Sequence, residues 1–458
     1  MTDARLAGFA AQADALRAAG RLESAIALYE TIIEEAPDDG YALHNLAAAL
    51  GDDHRFNQCE QVARRAFTKG IDAPETWLVL ARALQGLGRF DEADDAFRQA
   101  IRRRPAYVQA HRDLAQLLWM RGQSADVSSQ SIDRALASAP LDAPLLLTKA
   151  KVLEYAGQPD AAYRLIVRAI GMGAGDARLE TAAAMLTFQT DPEASLAHAE
   201  RAIARDPLDE AALTALCQAN LALGRADAAL EVAAFLRERS PDDQRAVALQ
   251  ATAWRLMGDP RYRALFDYER LVRAWTIDTP PGWRTLDAYL ADLTESLHAL
   301  HRLRAHPIGQ SLRGGVQTTQ NLDRVDDPAV KALFQALAGP IRRHIEAIGE
   351  RGEPRFNGVW SVRLQPGGFH INHLHPMGWI SSACYVSVPK QVERGHEGWL
   401  QFGEPGTATS PPLSAEHFVK PEPGRLVLFP SYMWHGTVPF AGDEPRLSVA
   451  FDLVRATP

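Results

Sequence analysis

Phe369-His370-Ile371-Asn372-His373-Leu374-His375-Pro376 sets two histidines two positions apart. In extended backbone residues i and i+2 leave the same face, so His373 and His375 present their imidazoles together. Further on, Gly424 to Phe429 reads as a strand, Pro430-Ser431 as a turn, and His435 opens the next segment. Arg446-Leu447-Ser448 then enters a last apolar strand with Arg446 and Ser448 on one side. Grouped imidazoles hold a transition metal, and a guanidinium fork holds a carboxylate through two hydrogen bonds. Several ligands on one face leave open positions for a chelating co-substrate and dioxygen, which is the geometry of oxygen chemistry at iron.

These parts resemble the Fe(II)/2-oxoglutarate dioxygenases, whose pattern is HxD/E, a distal His and RxS. The resemblance covers about Val359 to Val454, and the runs His370 to Pro389 and Leu428 to His435 look like bacterial 2OG-Fe(II) oxygenase sequences often joined to tetratricopeptide arrays. It implies Fe(II) held by His373, His375 and His435, with 2-oxoglutarate and O2 as co-substrates. It also implies that Arg446, helped by Ser448 and by Tyr385 on the next strand, binds the distal carboxylate of 2-oxoglutarate. His375 stands where the family has Asp or Glu, which leaves the site one negative charge poorer. Aspartyl/asparaginyl hydroxylases of related type manage with two histidines. Two other readings stay open: a 2-oxoglutarate-independent three-His iron dioxygenase in which Arg446 holds the substrate, and an inactive scaffold or sensor. His370 has the opposite strand parity and reads as a supporting or packing residue, His396 and His417 as surface residues, and Cys384 as a small buried hydrophobe.

Short apolar strands must carry these residues: Val359 to Leu364, Ile380 to Val388, Gly398 to Phe402, Arg425 to Phe429 and Leu447 to Leu453. Many short strands between Gly and Pro turns predict a sandwich, and the resemblance makes it a double-stranded β-helix or jelly roll. Before them, Leu286 to Arg304 and Ala329 to Gly349 read as helices, the second interrupted by Pro340, and Gln310 to Thr318 as a polar loop. His298 and His301 on the first helix read as a packing face, because no third ligand accompanies them.

The first half is a repeat array. Turn glycines at 20, 88, 122, 157, 224 and 258 and prolines at 37, 105, 140, 207 and 241 keep a period of 34, with His54 and Asp191 at the skipped glycine positions. A helix pair with Gly between its helices and Pro after it is the tetratricopeptide signature, clearest from Trp77 to Pro105. The fold class is therefore α+β: an all-α solenoid of about seven repeats over 1–258, a helical support region over 259–350, and an oxygenase core over 351–458. A solenoid's concave face holds extended peptides, so a protein or peptide substrate is expected there. Removing the residues before 258 is expected to leave metal binding intact and to abolish productive hydroxylation. The doublets Asp38-Asp39 and Asp242-Asp243 read as solubilising turns.

The composition excludes other classes. With 458 residues, 47% hydrophobic and 23% charged, the chain is an ordinary folded protein. A net charge of -8 offers no basic field for a phosphate backbone, so nucleic acid is not an expected partner. Three scattered cysteines form neither a disulfide framework nor a zinc ribbon. No signal pattern or apolar span is present, so a cytoplasmic enzyme with no membrane partner is expected.

Overall fold

The structure is a computed structural model that describes residues 3–456. It divides into two compact units, 1–152 and 153–458. The first holds α1 (Asp3–Ala18), α2 (Leu22–Glu35), α3 (Gly40–Asp52), α4 (Phe56–Thr68), α5 (Pro74–Gly86), α6 (Phe90–Arg103), α7 (Val108–Met120) and α8 (Ala125–Ser138). The boundary falls inside α9 (Ala143–Tyr155). The second unit continues the array with α10 (Pro159–Gly171), α11 (Ala177–Thr187), α12 (Pro192–Arg205), α13 (Glu210–Ala222), α14 (Ala226–Arg239) and α15 (Gln244–Met257).

The repeat spacing has a backbone cause. Most turns between paired helices place one residue in the left-handed region, which glycine adopts without a Cβ penalty. Gly20, Gly88 and Gly224 sit at φ of 73°, 74° and 72°, and His54, at a skipped glycine position, takes φ 58° itself. Asp191, at the other skipped position, instead caps α12 by accepting from the Ala194 N–H. Asp39 and Asp243 likewise accept from the first N–H groups of α3 and α15. Half of each acidic doublet is thus a helix cap rather than a solubilising charge, worth about 1 kcal/mol.

After the array come α16 (Arg261–Leu265), α17 (Tyr268–Leu271), β1 (Arg273–Thr276), α18 (Leu286–Leu300), β2 (Leu312–Gln317) and α19 (Pro328–Ala347), which runs through Pro340. The strands β3 (Pro354–His370), β4 (Ile380–Ser387), β5 (Leu400–Phe402), β6 (His417–Val419), β7 (Arg425–Pro430), β8 (His435–Thr437) and β9 (Arg446–Arg455) follow. They form two antiparallel sheets, in the orders β1-β7-β4-β9-β3-β2 and β6-β5-β8. Within the run Gln310 to Thr318, read as a loop, Leu312–Gln317 is a strand, because β2 pairs with β3 across a shift at Gly314. His301 closes α18 as a buried residue whose Nε2 meets Ser361 Oγ at 3.0 Å.

The main apolar core of the second unit does not stop at the end of the array. Cys217, Leu221, Leu249 and Trp254 of α13 and α15 belong to the same cluster as Tyr262, Phe266, Phe402, Phe429 and Leu453. Among the described residues no helix is long and apolar enough to cross a membrane.

Candidate metal centre

Register on the larger sheet aims the site. In β9, Arg446, Ser448, Ala450 and Asp452 alternate onto one face. On one side β3 sets Leu364, Val362 and Trp360 opposite Arg446, Ser448 and Ala450, and on the other β4 sets Tyr385 opposite Ser448 and Ser381 opposite Asp452. The smaller sheet brings His435 at the start of β8. A single antiparallel bridge joins the two ligand segments: the His373 N–H donates to His435 O at 2.9 Å, and the His435 N–H returns to His373 O at 3.0 Å. This close approach requires Gly436, where a Cβ would stand 2.2 Å from Asn372 Oδ1. His375 lies beyond the bridge, tied by its own N–H to Ser431 O at 3.1 Å.

The three imidazoles converge. One ring nitrogen from each of His373, His375 and His435 lies within 4.8 Å of the others. In every case Nδ1 is engaged behind the ring: with Ile371 O at 2.8 Å, with Asp452 Oδ2 at 2.7 Å, and with Met433 O at 2.9 Å. Carbonyl and carboxylate oxygens only accept, so each Nδ1 carries the proton and each Nε2 presents a lone pair. The Nε2 atoms of His373 and His375 face each other at 3.3 Å. Burial, with the neighbouring His375 ring, pushes His373 down to about 3, and burial beside His373 and His375 holds His435 well below the ordinary histidine range. Three imidazoles whose Nδ1 atoms are held by outer partners, two of them kept neutral by burial, fit a divalent transition metal, Fe(II) among them.

Asp452 is the residue that motif spacing does not single out. It is 9% exposed and accepts from Ser381 Oγ at 2.7 Å as well as from His375. The i, i+2 rhythm from Arg446 through Ser448 would have reached it. His370, expected to turn away by parity, lines the same cavity, because the strand ends there and Ile371 and Asn372 break the alternation. It stays outside the three-nitrogen group, and its Nδ1 meets Thr437 Oγ1 at 3.2 Å. Arg446 Nη2 donates to that same Thr437 oxygen at 3.3 Å, so the threonine hydroxyl links His370 to Arg446. His396 is exposed, whereas His417 is half-buried and stacks on Tyr268.

The cavity around these groups is about 420 Å³. Arg446 enters it 3% exposed, its Nη1 donating to Gly398 O at 2.7 Å and its Nε donating to nothing. Among the described residues no carboxylate pairs with it. Its guanidinium carbon lies 5.4 Å from the Tyr385 ring centre, and the Tyr385 hydroxyl, also buried, has no partner. Ser448 is buried between them in the register above. A buried cation without an anion is costly, and here it borders an open volume that suits an anionic group.

Solved structures similar to this chain are tetratricopeptide proteins. One from Parabacteroides merdae is 15% identical with a TM-score of 0.39, over 54% of this chain and 98% of that one. Another, a thermophilic protein from Thermus thermophilus, is 21% identical with a TM-score of 0.31, over 40% of this chain and 98% of that one. No curated protein matches the chain. Residues 78–143 match the tetratricopeptide repeat family, and residues 358–452, which carry all three histidines, Arg446 and Asp452, match the family described as "Putative 2OG-Fe(II) oxygenase".

Proposed function

We propose that the chain is an Fe(II)/2-oxoglutarate-dependent dioxygenase that hydroxylates a peptide or protein substrate, its two sheets forming a jelly roll. The observation that carries this reading is the pairing of a three-imidazole centre with a buried guanidinium that has no counter-ion. A dicarboxylate with a 2-oxo group satisfies both ends, one end chelating and the other ion-paired. The net reaction is 2-oxoglutarate + O2 + R–H → succinate + CO2 + R–OH.

His373, His375 and His435 would hold the metal. Bound Fe(II) would supply Lewis acidity for the chelating end and the redox couple that activates O2. Arg446 binds the distal carboxylate with its free N–H groups, and Ser448 and Tyr385 add hydroxyl donors, each charge-assisted bond being about twice as strong as a neutral one. Phe429 and Leu400, apolar parts of the cavity wall, exclude water behind the histidines. Asp452 fixes the proton of His375 on Nδ1.

A peptide substrate is supported by the cavity mouth, where Ile371 and Met377 are 41% and 72% exposed, and by the array, whose concave face suits an extended chain. Three buried free thiols suit a reducing compartment such as the cytoplasm. Full-length protein mixed with Fe(II), O2 and 2-oxoglutarate should form succinate. The all-nitrogen ligand set favours one rival, a three-His dioxygenase that uses no 2-oxoglutarate; it would form none.

A further inference from the structure

Helix α15 belongs by sequence rhythm to the repeat array, yet it reaches both segments that carry metal-site histidines. At its first turn the Gln244 N–H donates to Pro376 O at 3.0 Å, one residue beyond His375. Two turns later Thr252 Oγ1 accepts from Trp434 Nε1 at 3.0 Å, one residue before His435. Thr252 and Trp434 are 2% and 7% exposed. The hydroxyl is used in both directions, because its own proton goes to Ala248 O at 2.8 Å. A third link runs through Arg255, whose Nη1 donates to Gly403 O at 2.8 Å, while the Gly403 N–H donates to Trp434 O at 2.9 Å.

We propose that α15 is a positioning element of the metal centre, setting the separation of His375 and His435 through Gln244 and Thr252. The inference rests on the metal-site reading above. Its reasoning is geometric. His375 and His435 lie on separate connections, tied directly by the His373–His435 bridge and by the His375 N–H to Ser431 O, and α15 adds a link to each from outside the sheets. A helix is stiff along its axis, so two hydrogen bonds eight residues apart on one helix fix the two connections at a set distance. Partners bonded directly to ligand side chains typically govern metal affinity by about 10-fold to 100-fold, and links one residue removed, as here, belong at the low end of that range.

Two backbone-sparing variants isolate the contacts. Gln244 is the first helical residue after the Asp243 cap, whose ψ is 106°, so Gln244→Pro removes one N–H while proline is tolerated there. Gln244→Ala keeps that N–H and serves as its control. Thr252→Val keeps the shape and removes the acceptor; Thr252→Ser restores it. Full-length apoprotein is titrated with Co(II), read by its ligand-field absorption, with no 2-oxoglutarate present, and thermal unfolding of the apoprotein is recorded alongside. We expect Gln244→Pro and Thr252→Val to weaken Co(II) about tenfold and alter its spectrum, with Gln244→Ala and Thr252→Ser close to wild type. Should Thr252→Val fail to fold, Gln244→Pro decides alone. Wild-type affinity and spectrum in the folded variants would overturn the proposal and reduce α15 to packing. A wild type that binds Co(II) but forms no succinate with Fe(II) would sink the dioxygenase reading and leave this one standing. A wild type that binds no metal would remove both.

Discussion

His375 Nδ1 stands 2.7 Å from Asp452 Oδ2, so a carboxylate lies directly behind the histidine that stands where the HxD/E pattern has an acid. An imidazole backed by a carboxylate is a stronger donor than a free one, which in the proposed metal centre would offset part of the charge that an acidic ligand would bring.

Asp452→Ala should therefore weaken metal binding about 10-fold to 100-fold, short of the complete loss expected for His435→Ala. Calorimetric titration of the apoprotein with Fe(II) under anaerobic conditions measures both. His375→Asp, which creates the HxD pattern, sets two carboxylates together and should bind metal less well than His375→Asp combined with Asp452→Asn. If the single change proves the tighter binder, Asp452 does not act on the centre through position 375.

Arg446→Leu tests the other end of the cavity. Removing a charge-assisted bidentate partner costs about 2–5 kcal/mol, a loss that should fall on the apparent Michaelis constant for 2-oxoglutarate. Fe(II) affinity should stay near wild type, since Arg446 hydrogen-bonds to Gly398 and Thr437 and to no histidine. Parallel loss of both would make Arg446 a structural residue.

The grouping of His373, His375 and His435 is legible in the sequence through the HxH spacing and the Pro-Ser turn before His435, although the expected strand alternation is not what joins them: β3 ends at His370, His373 sits in an isolated bridge and His375 lies outside any strand. Asp452 is half-legible, since the i, i+2 rhythm from Arg446 passes through it but no motif marks it. Thr252 is illegible, because its link to Trp434 spans 182 positions and joins a repeat helix to a loop. Strand β2 hides for a different reason. Gly314 and Gly315 and its polar residues lack the β-branched signal, and what makes it a strand is pairing with β3, where a Cβ on Gly315 would meet Arg363 O at 2.7 Å.

The core shared by α13, α15 and the sheets changes the expectation for truncation. Cutting at residue 258 strips Leu249 and Trp254 from a cluster that also holds Tyr262, Phe266 and Trp434, and removes Thr252, the acceptor of the Trp434 indole N–H. That fragment should aggregate or lose metal binding. A chain beginning near residue 140 keeps α9 and the whole second unit, and should stay soluble and bind metal. Gel filtration with metal analysis separates the two. A 258-truncated fragment that is monomeric and binds metal as the full chain does would show that the sheets and α16 to α19 stand alone.

Acid should destabilise the fold through histidines remote from the metal. Burial, with Arg363 and His298 nearby, pushes His301 down to about 3, and burial beside Arg273 pushes His344 down to about 4. Both are neutral in the folded state, whereas in the unfolded chain they protonate near 6.5. The unfolded state thus binds more protons as pH falls below 6.5, and stability present above that value is lost down to about pH 3–4. Each group contributes a slope of about 1.4 kcal/mol per pH unit within the window. The urea midpoint, measured between pH 7.5 and 5, should fall with pH, and His344→Leu should flatten that fall by removing one proton from the uptake. An unchanged slope in the folded variant would mean that His344 does not titrate between the two states.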